Sequence, residues 1–156
     1  MSDTERGKIF NPALAAQLRN FSGLRYGKIT PTDIDAFIDF SNLLFVFIEA
    51  KLPNVELSCG QRLAIERVVM ASASKQRHST AIICEHHNRV GAIDFATCKV
   101  TRVYWKSNNK WEWRAPSIAG LTVRGAIDRF LQYYGLNQYL VRDRCGRGDG
   151  RCHGAR

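Results

Sequence analysis

The chain has 156 residues, 45% of them hydrophobic, and a formal charge of +9 from 23 Lys and Arg against 14 Asp and Glu. That is about one domain with enough apolar surface for a real core, and no apolar run approaches the roughly 18 residues of a membrane span. The positive excess favours polyanionic partners, because a basic face attracts phosphate and makes binding salt dependent.

The opening segment Met1–Lys8 lacks the apolar core of an export signal, so a cytoplasmic location is expected. Asn11-Pro12 predicts a helix to about Asn20, with asparagine as cap, proline in the first turn, and Leu14, Leu18 and Phe21 as its buried stripe. Gly23 to Ile29 reads as a first strand, with Leu24 and Tyr26 alternating against Arg25.

Asp35 to Phe40 reads as a strand, Ser41-Asn42 as a turn, and the aromatic and β-branched run Phe45-Val46-Phe47-Ile48 as a strand buried on both faces. The second strand ends in Glu49-Ala50-Lys51. A carboxylate and an ammonium beside such a run are costly to bury unless they pair with each other or with a metal. A three-residue loop over 41–43 sets Phe40 opposite Leu44, Asp35 opposite Glu49 and Asp33 opposite Lys51, all on one face. A two-residue loop sends the aspartates to the other face, since side chains alternate along a strand. The first register is preferred because it converges two carboxylates within reach of one Mg²⁺. Lys51 then points the same way and suits a water-orienting or phosphate-neutralising role.

Leu52-Pro53-Asn54 closes that strand, and Ser58 caps a helix expected over about 60–74, with Leu63, Ile65, Val68, Val69 and Ala71 apolar and Glu66 and Arg67 facing water. Gln61 falls in its first turn, where it either contacts a phosphate or a metal-bound water, or is simply solvated. Ser79 to Glu85 is a central strand. Val100–Lys106 and Lys110–Arg114 flank Ser107-Asn108-Asn109 as a second hairpin. Its aromatics Tyr104, Trp105, Trp111 and Trp113 interleave with Arg102, Lys106, Lys110 and Arg114. Packing of the rings onto the domain is favoured over a DNA-facing wing. A last helix is expected over Leu121–Tyr134, packing through Leu121, Ile127, Phe130, Leu131 and Tyr134 and ended by Gly135.

One domain over 1–141 and a basic Gly/Arg-rich tail over 142–156, expected to be disordered, complete the organisation. The five cysteines are Cys59, Cys84, Cys98, Cys145 and Cys152. An odd, scattered set argues against a disulfide framework. Neither Cys84-Glu85-His86-His87 nor Cys145 with Cys152-His153 has the C-x-x-C spacing that favours zinc.

Asp35 followed by Glu49-x-Lys51, with Gln61-Arg62 opening the next helix, resembles the PD-(D/E)xK nuclease superfamily, particularly small phage or mobile-element nucleases. Pro31 is separated from Asp33 by Thr32, so either Asp33 or Asp35 takes the acidic position of the motif. The resemblance implies an α/β restriction-endonuclease-like αβββαβ core, a mixed central sheet flanked by helices, to which this chain adds a C-terminal hairpin and helix. It implies Mg²⁺, replaceable by Mn²⁺, held by Asp35, Glu49, Asp33 and the carbonyl of Ala50, with Lys51 and Gln61 completing the catalytic set. DNA is the implied substrate, contacted by Arg62 and, on the wing reading, by Lys106, Lys110 and Arg114. Phage DNA processing, recombination or repair would be the setting. Resolvase-like members act as dimers on branched DNA, so a homodimer is implied as well. The first helix supplies no carboxylate between residues 11 and 21, which leaves one metal or two open. The competing class is a catalytically silent nucleic-acid-binding accessory protein on the same fold.

Overall fold

The computed structural model describes residues 22–24, 28 and 31–140. The chain divides into two compact units, 1–33 and 34–156. In the first, Ser22–Leu24 form a 3-10 turn. The strand expected over 23–29 therefore does not start at Gly23: Leu24 is exposed, and alternation without a buried face does not hold a strand. The expected helix over 11–20 and the basic tail lie outside the described residues, as does all of 25–30 except Lys28.

The second unit is α/β. Its strands are β1 (Ala36–Phe40), β2 (Leu44–Lys51), β3 (His78–Glu85), β4 (Lys99–Ser107) and β5 (Lys110–Arg114). They form one mixed sheet in the order β1-β2-β3-β4-β5. β2 and β3 are parallel and every other pair is antiparallel. The parallel pair requires a crossover, and helix α1 (Cys59–Ser72) supplies it. Helix α2 (Val123–Tyr133) follows β5. No helix among the described residues is long and apolar enough to cross a membrane.

The first hairpin adopts the three-residue loop. Ser41 and Asn42 take positive φ of 51° and 62°, Leu43 N–H donates to the Phe40 carbonyl, and Phe40 pairs with Leu44. Asn42 tolerates the left-handed region, and its N–H is held by Asp39 Oδ1 at 2.6 Å. The second hairpin is tighter than expected. Ser107 pairs with Lys110, so the loop is Asn108-Asn109 alone, with φ of 49° and 62°, a turn whose twist suits the strands it joins.

Alternation along β2 sorts the interior into two layers. Leu44, Val46 and Ile48 join Ile82, Val100 and the α2 residues Val123, Ile127, Phe130 and Leu131 in one core. Phe47 joins Ala81, Ile83, Tyr104 and the α1 residues Ile65 and Val69 in the other. The sheet is thus sandwiched between α1 and α2, and β3 occupies its centre, as its unbroken apolar run requires.

Both helices start at side-chain caps. Ser58 Oγ accepts Gln61 N–H at 3.2 Å, and Thr122 Oγ1 accepts Gly125 N–H at 3.2 Å. Thr122 moves the start of α2 two residues past the expected Leu121, which instead packs beside the core. Gly135, at φ 71°, ends α2 and lets Leu136 N–H reach the Leu131 carbonyl at 2.7 Å. Along α1 only Ile65 and Val69 are buried, while Leu63 and Ala71 face solvent. Because the sheet covers one narrow stripe of this helix, these two residues, expected to be inward, turn out.

Candidate active site

Glu49 and Lys51 are the last odd-numbered residues of β2, on the face that carries Phe47 and receives α1. Glu49 is only 4% exposed. Lys51 Nζ donates to Glu49 Oε1 at 2.6 Å, and from the start of α1 Gln61 Nε2 donates to the same oxygen at 3.2 Å. Gln61 Oε1 in turn accepts from Lys51 Nζ at 3.3 Å and from Ser58 N–H at 3.4 Å. The capping box that starts α1 therefore also fixes the third member of a polar triangle. Gln61 is therefore not a simply solvated side chain: it is tied to both ends of the Glu-x-Lys pair.

The geometry suits charge held in place. A buried carboxylate needs a counter-charge and hydrogen bonds, and here an ammonium and an amide converge on one of its oxygens. The amide is itself pinned at both ends, so Gln61 cannot swing away without breaking a helix cap.

Asp35 enters differently. The β1–β2 ladder stops at Ala36–Ile48, and Asp35 sits at a bend just before it. Its Oδ2 accepts the Ala50 N–H at 2.7 Å, replacing the ladder partner that β1 no longer provides. In a strand the N–H and C=O of one residue project to the same side, so the Ala50 carbonyl faces the Asp35 edge too. The bend also breaks the alternation: Ile34, not a carboxylate, packs into the α1-side core beside Phe47 and Glu49. The expected one-face set of four charges is thus reduced to Glu49 and Lys51 on the face and Asp35 at the strand edge. Asp33 belongs to the first unit and is exposed.

Burial pushes the Cys84 thiol, across the ladder from Ala50, up to about 12; Cys98 beside it adds to this, and the charges of Asp35 and Glu49 add less. Cys84 is therefore an inert thiol at neutral pH. Among the described residues no group of three or more His, Cys, Asp or Glu side chains converges on one point. Mg²⁺ does not need one, since it takes one or two carboxylates and keeps several waters. The oxygens of Asp35, Glu49 and the Ala50 carbonyl are hard donors, the class that Mg²⁺ takes.

The remaining expected contacts divide by position. Arg62 lies one residue beyond Gln61, exposed, with Nε 3.6 Å from Glu66. Lys106 and Lys110 flank the tight turn at the other end of the sheet, and Arg114 pairs with Glu112. Tyr104, Trp111 and Trp113 pack against the α1-side core, with Trp113 Nε1 donating to Glu66 at 2.6 Å; Trp105 packs on the α2 side. The rings of the second hairpin thus serve the interior. No family model, no curated protein and no solved structure matches this chain.

Proposed function

We propose that the protein is a Mg²⁺-dependent deoxyribonuclease of the PD-(D/E)xK type, acting as a phosphodiester hydrolase. One observation carries the reading: a buried Glu49 bonded by Lys51 and by Gln61 at the junction of a strand end and a helix start. A structural ion pair has no need of the glutamine, and a helix cap has no need of the buried carboxylate. The order hairpin, helix, parallel strand supports the corresponding stretch of the restriction-endonuclease-like core.

In this mechanism Asp35, Glu49 and the Ala50 carbonyl would hold the metal. When bound, the ion lowers the pKa of a coordinated water and neutralises charge on the phosphate. Lys51 keeps a proton-donating ammonium beside the reacting phosphate, where it stabilises developing negative charge. Gln61 holds Lys51 and Glu49 at a fixed spacing and presents an amide to a water or phosphate oxygen. The exposed Arg62 is placed to bind the DNA backbone next to the helix start.

The test is incubation of purified protein with plasmid, linear duplex, single-stranded and four-way-junction DNA, with Mg²⁺ or Mn²⁺ and with chelator. Metal-dependent cleavage that is lost in Glu49→Gln and Lys51→Ala is the expected result. Cleavage by either variant at the parent rate removes this assignment. Binding without cleavage by the parent favours the accessory-protein class instead.

A further inference from the structure

β3 runs from His78 to Glu85, so at about 3.3 Å per residue the two ends of the sheet lie roughly 23 Å apart. Lys51 marks one end; at the other the structure opens a second basic feature. A cleft of about 560 Å³ lies between the end of α1, the start of β3, the turn of the second hairpin and the end of α2. Lys75, Arg77 and Lys106 line it without a single carboxylate. Arg77 is anchored to Asn42 and lies over the Phe45 ring, fixing its charge. Lys75 and Lys106 are exposed, and no described carboxylate pairs with either.

The wall of this cleft is aromatic. Tyr133 is 63% exposed, an unusual state for a large ring, and its neighbours Trp105 and Tyr134 meet it at steep angles, so neither lies flat on it. Tyr133 also borders a second, more apolar groove of about 610 Å³ formed by Trp105, Phe130 and Arg129. The Trp105 indole nitrogen is itself buried, so what the groove offers is apolar surface. Cations without counter-ions, an uncovered ring and an apolar recess occur side by side. Phosphates need the first, an unstacked base the second and third. A duplex, whose bases are stacked and paired, uses only the cations.

We propose that this end of the sheet binds single-stranded nucleic acid, with phosphates at Lys75 and Lys106 and a base on Tyr133. This rests on the nucleic-acid reading of the protein but not on cleavage. The site would hold an unpaired stretch while the Glu49–Lys51–Gln61 end acts some 23 Å away, a spacing set by the length of the sheet.

Fluorescence anisotropy with labelled (dT)15 and with a blunt duplex of equal length, both in chelator, separates the two ideas. Tyr133→Ala is expected to weaken (dT)15 about tenfold, with duplex affinity unchanged, and Tyr133→Phe to bind like the parent. The double variant Lys75→Ala/Lys106→Ala should weaken both ligands and flatten the salt dependence on (dT)15, a slope change of about 1.4 for two contacts. Equal (dT)15 binding by parent and Tyr133→Ala, or equal losses of Tyr133→Ala on duplex and single strand, overturns the proposal. Normal (dT)15 discrimination in a protein that cleaves nothing would retain this site and remove the nuclease reading. Circular dichroism of each variant confirms that it is folded.

Discussion

The two ends of the central sheet hold charge in opposite ways. At the β2 end, Glu49 is buried and bound by Lys51 and Gln61; at the hairpin end, Lys75 and Lys106 stand in water, and on the outer strand β5 the exposed Arg114 pairs with its near neighbour Glu112. Buried charge is expensive and survives only where geometry is fixed, whereas exposed charge costs little and contributes little to stability. Chemistry that needs a defined position belongs at the first end, and binding that tolerates sequence and register belongs at the second.

Four measurements would break or sharpen that contrast. The largest effect is expected for Lys51→Met, which takes the ammonium from a buried carboxylate: a stability loss of about 3 kcal/mol by urea denaturation, together with a fall in cleavage of at least about 100-fold. Recovery of stability in the double variant Glu49→Met/Lys51→Met would show that the pair serves function rather than folding. Gln61→Ala should cost about 1 kcal/mol, through the lost capping box and bridge. A loss as large as that of Lys51→Met would make the glutamine, not the ion pair, the organising element. Glu112→Ala, which removes the half-buried partner of the exposed Arg114, should change stability by less than about 0.5 kcal/mol; a larger change would erase the distinction between buried and surface pairs.

The smallest effect concerns pH. His78, stacked on Tyr134 at 3.8 Å, has its pKa lowered by burial from the ordinary 6.5. The unfolded chain therefore takes up this proton more readily than the folded one, so stability holds above about pH 6.5 and declines as pH falls through the lowered value. Thermal melts between pH 7.5 and 5.5 should show that decline, and His78→Phe, which keeps a ring against Tyr134, should flatten it. An unchanged slope in His78→Phe would assign the acid sensitivity elsewhere.

Much of this was legible in the sequence because it is local. Ser41-Asn42 announces a turn and the run Phe45–Ile48 a buried strand, although the three-residue loop is preferred only because it converges the charges, and Ser58 caps α1 with Gln61 in its first turn. The readings that failed were also local, but they met an environment the sequence does not carry. Leu63 looks apolar on a helix, yet the sheet covers too narrow a stripe of α1 to bury it. Asp35 looks like a strand residue, yet the ladder ends at Ala36 and its carboxylate turns to cap the Ala50 N–H. Tyr133 reads as part of a packing helix, and nothing nearby in the chain shows that its ring remains uncovered.

The sequence by itself determined which face of β2 carries Glu49 and Lys51, since alternation with a period of two is a property of the strand alone. It also determined where α1 begins, since the Ser58 cap is made within four residues; the Thr122 cap of α2 is equally local, but the start expected at Leu121 missed it. Only the tertiary structure brought Gln61 onto Glu49 and assembled Lys75, Arg77, Lys106 and Tyr133 around one cleft. Those meetings depend on a parallel crossover and on four separate segments ending at one edge of the sheet. Local periodicity specifies the direction of a side chain; its neighbour is chosen by how the layers pack.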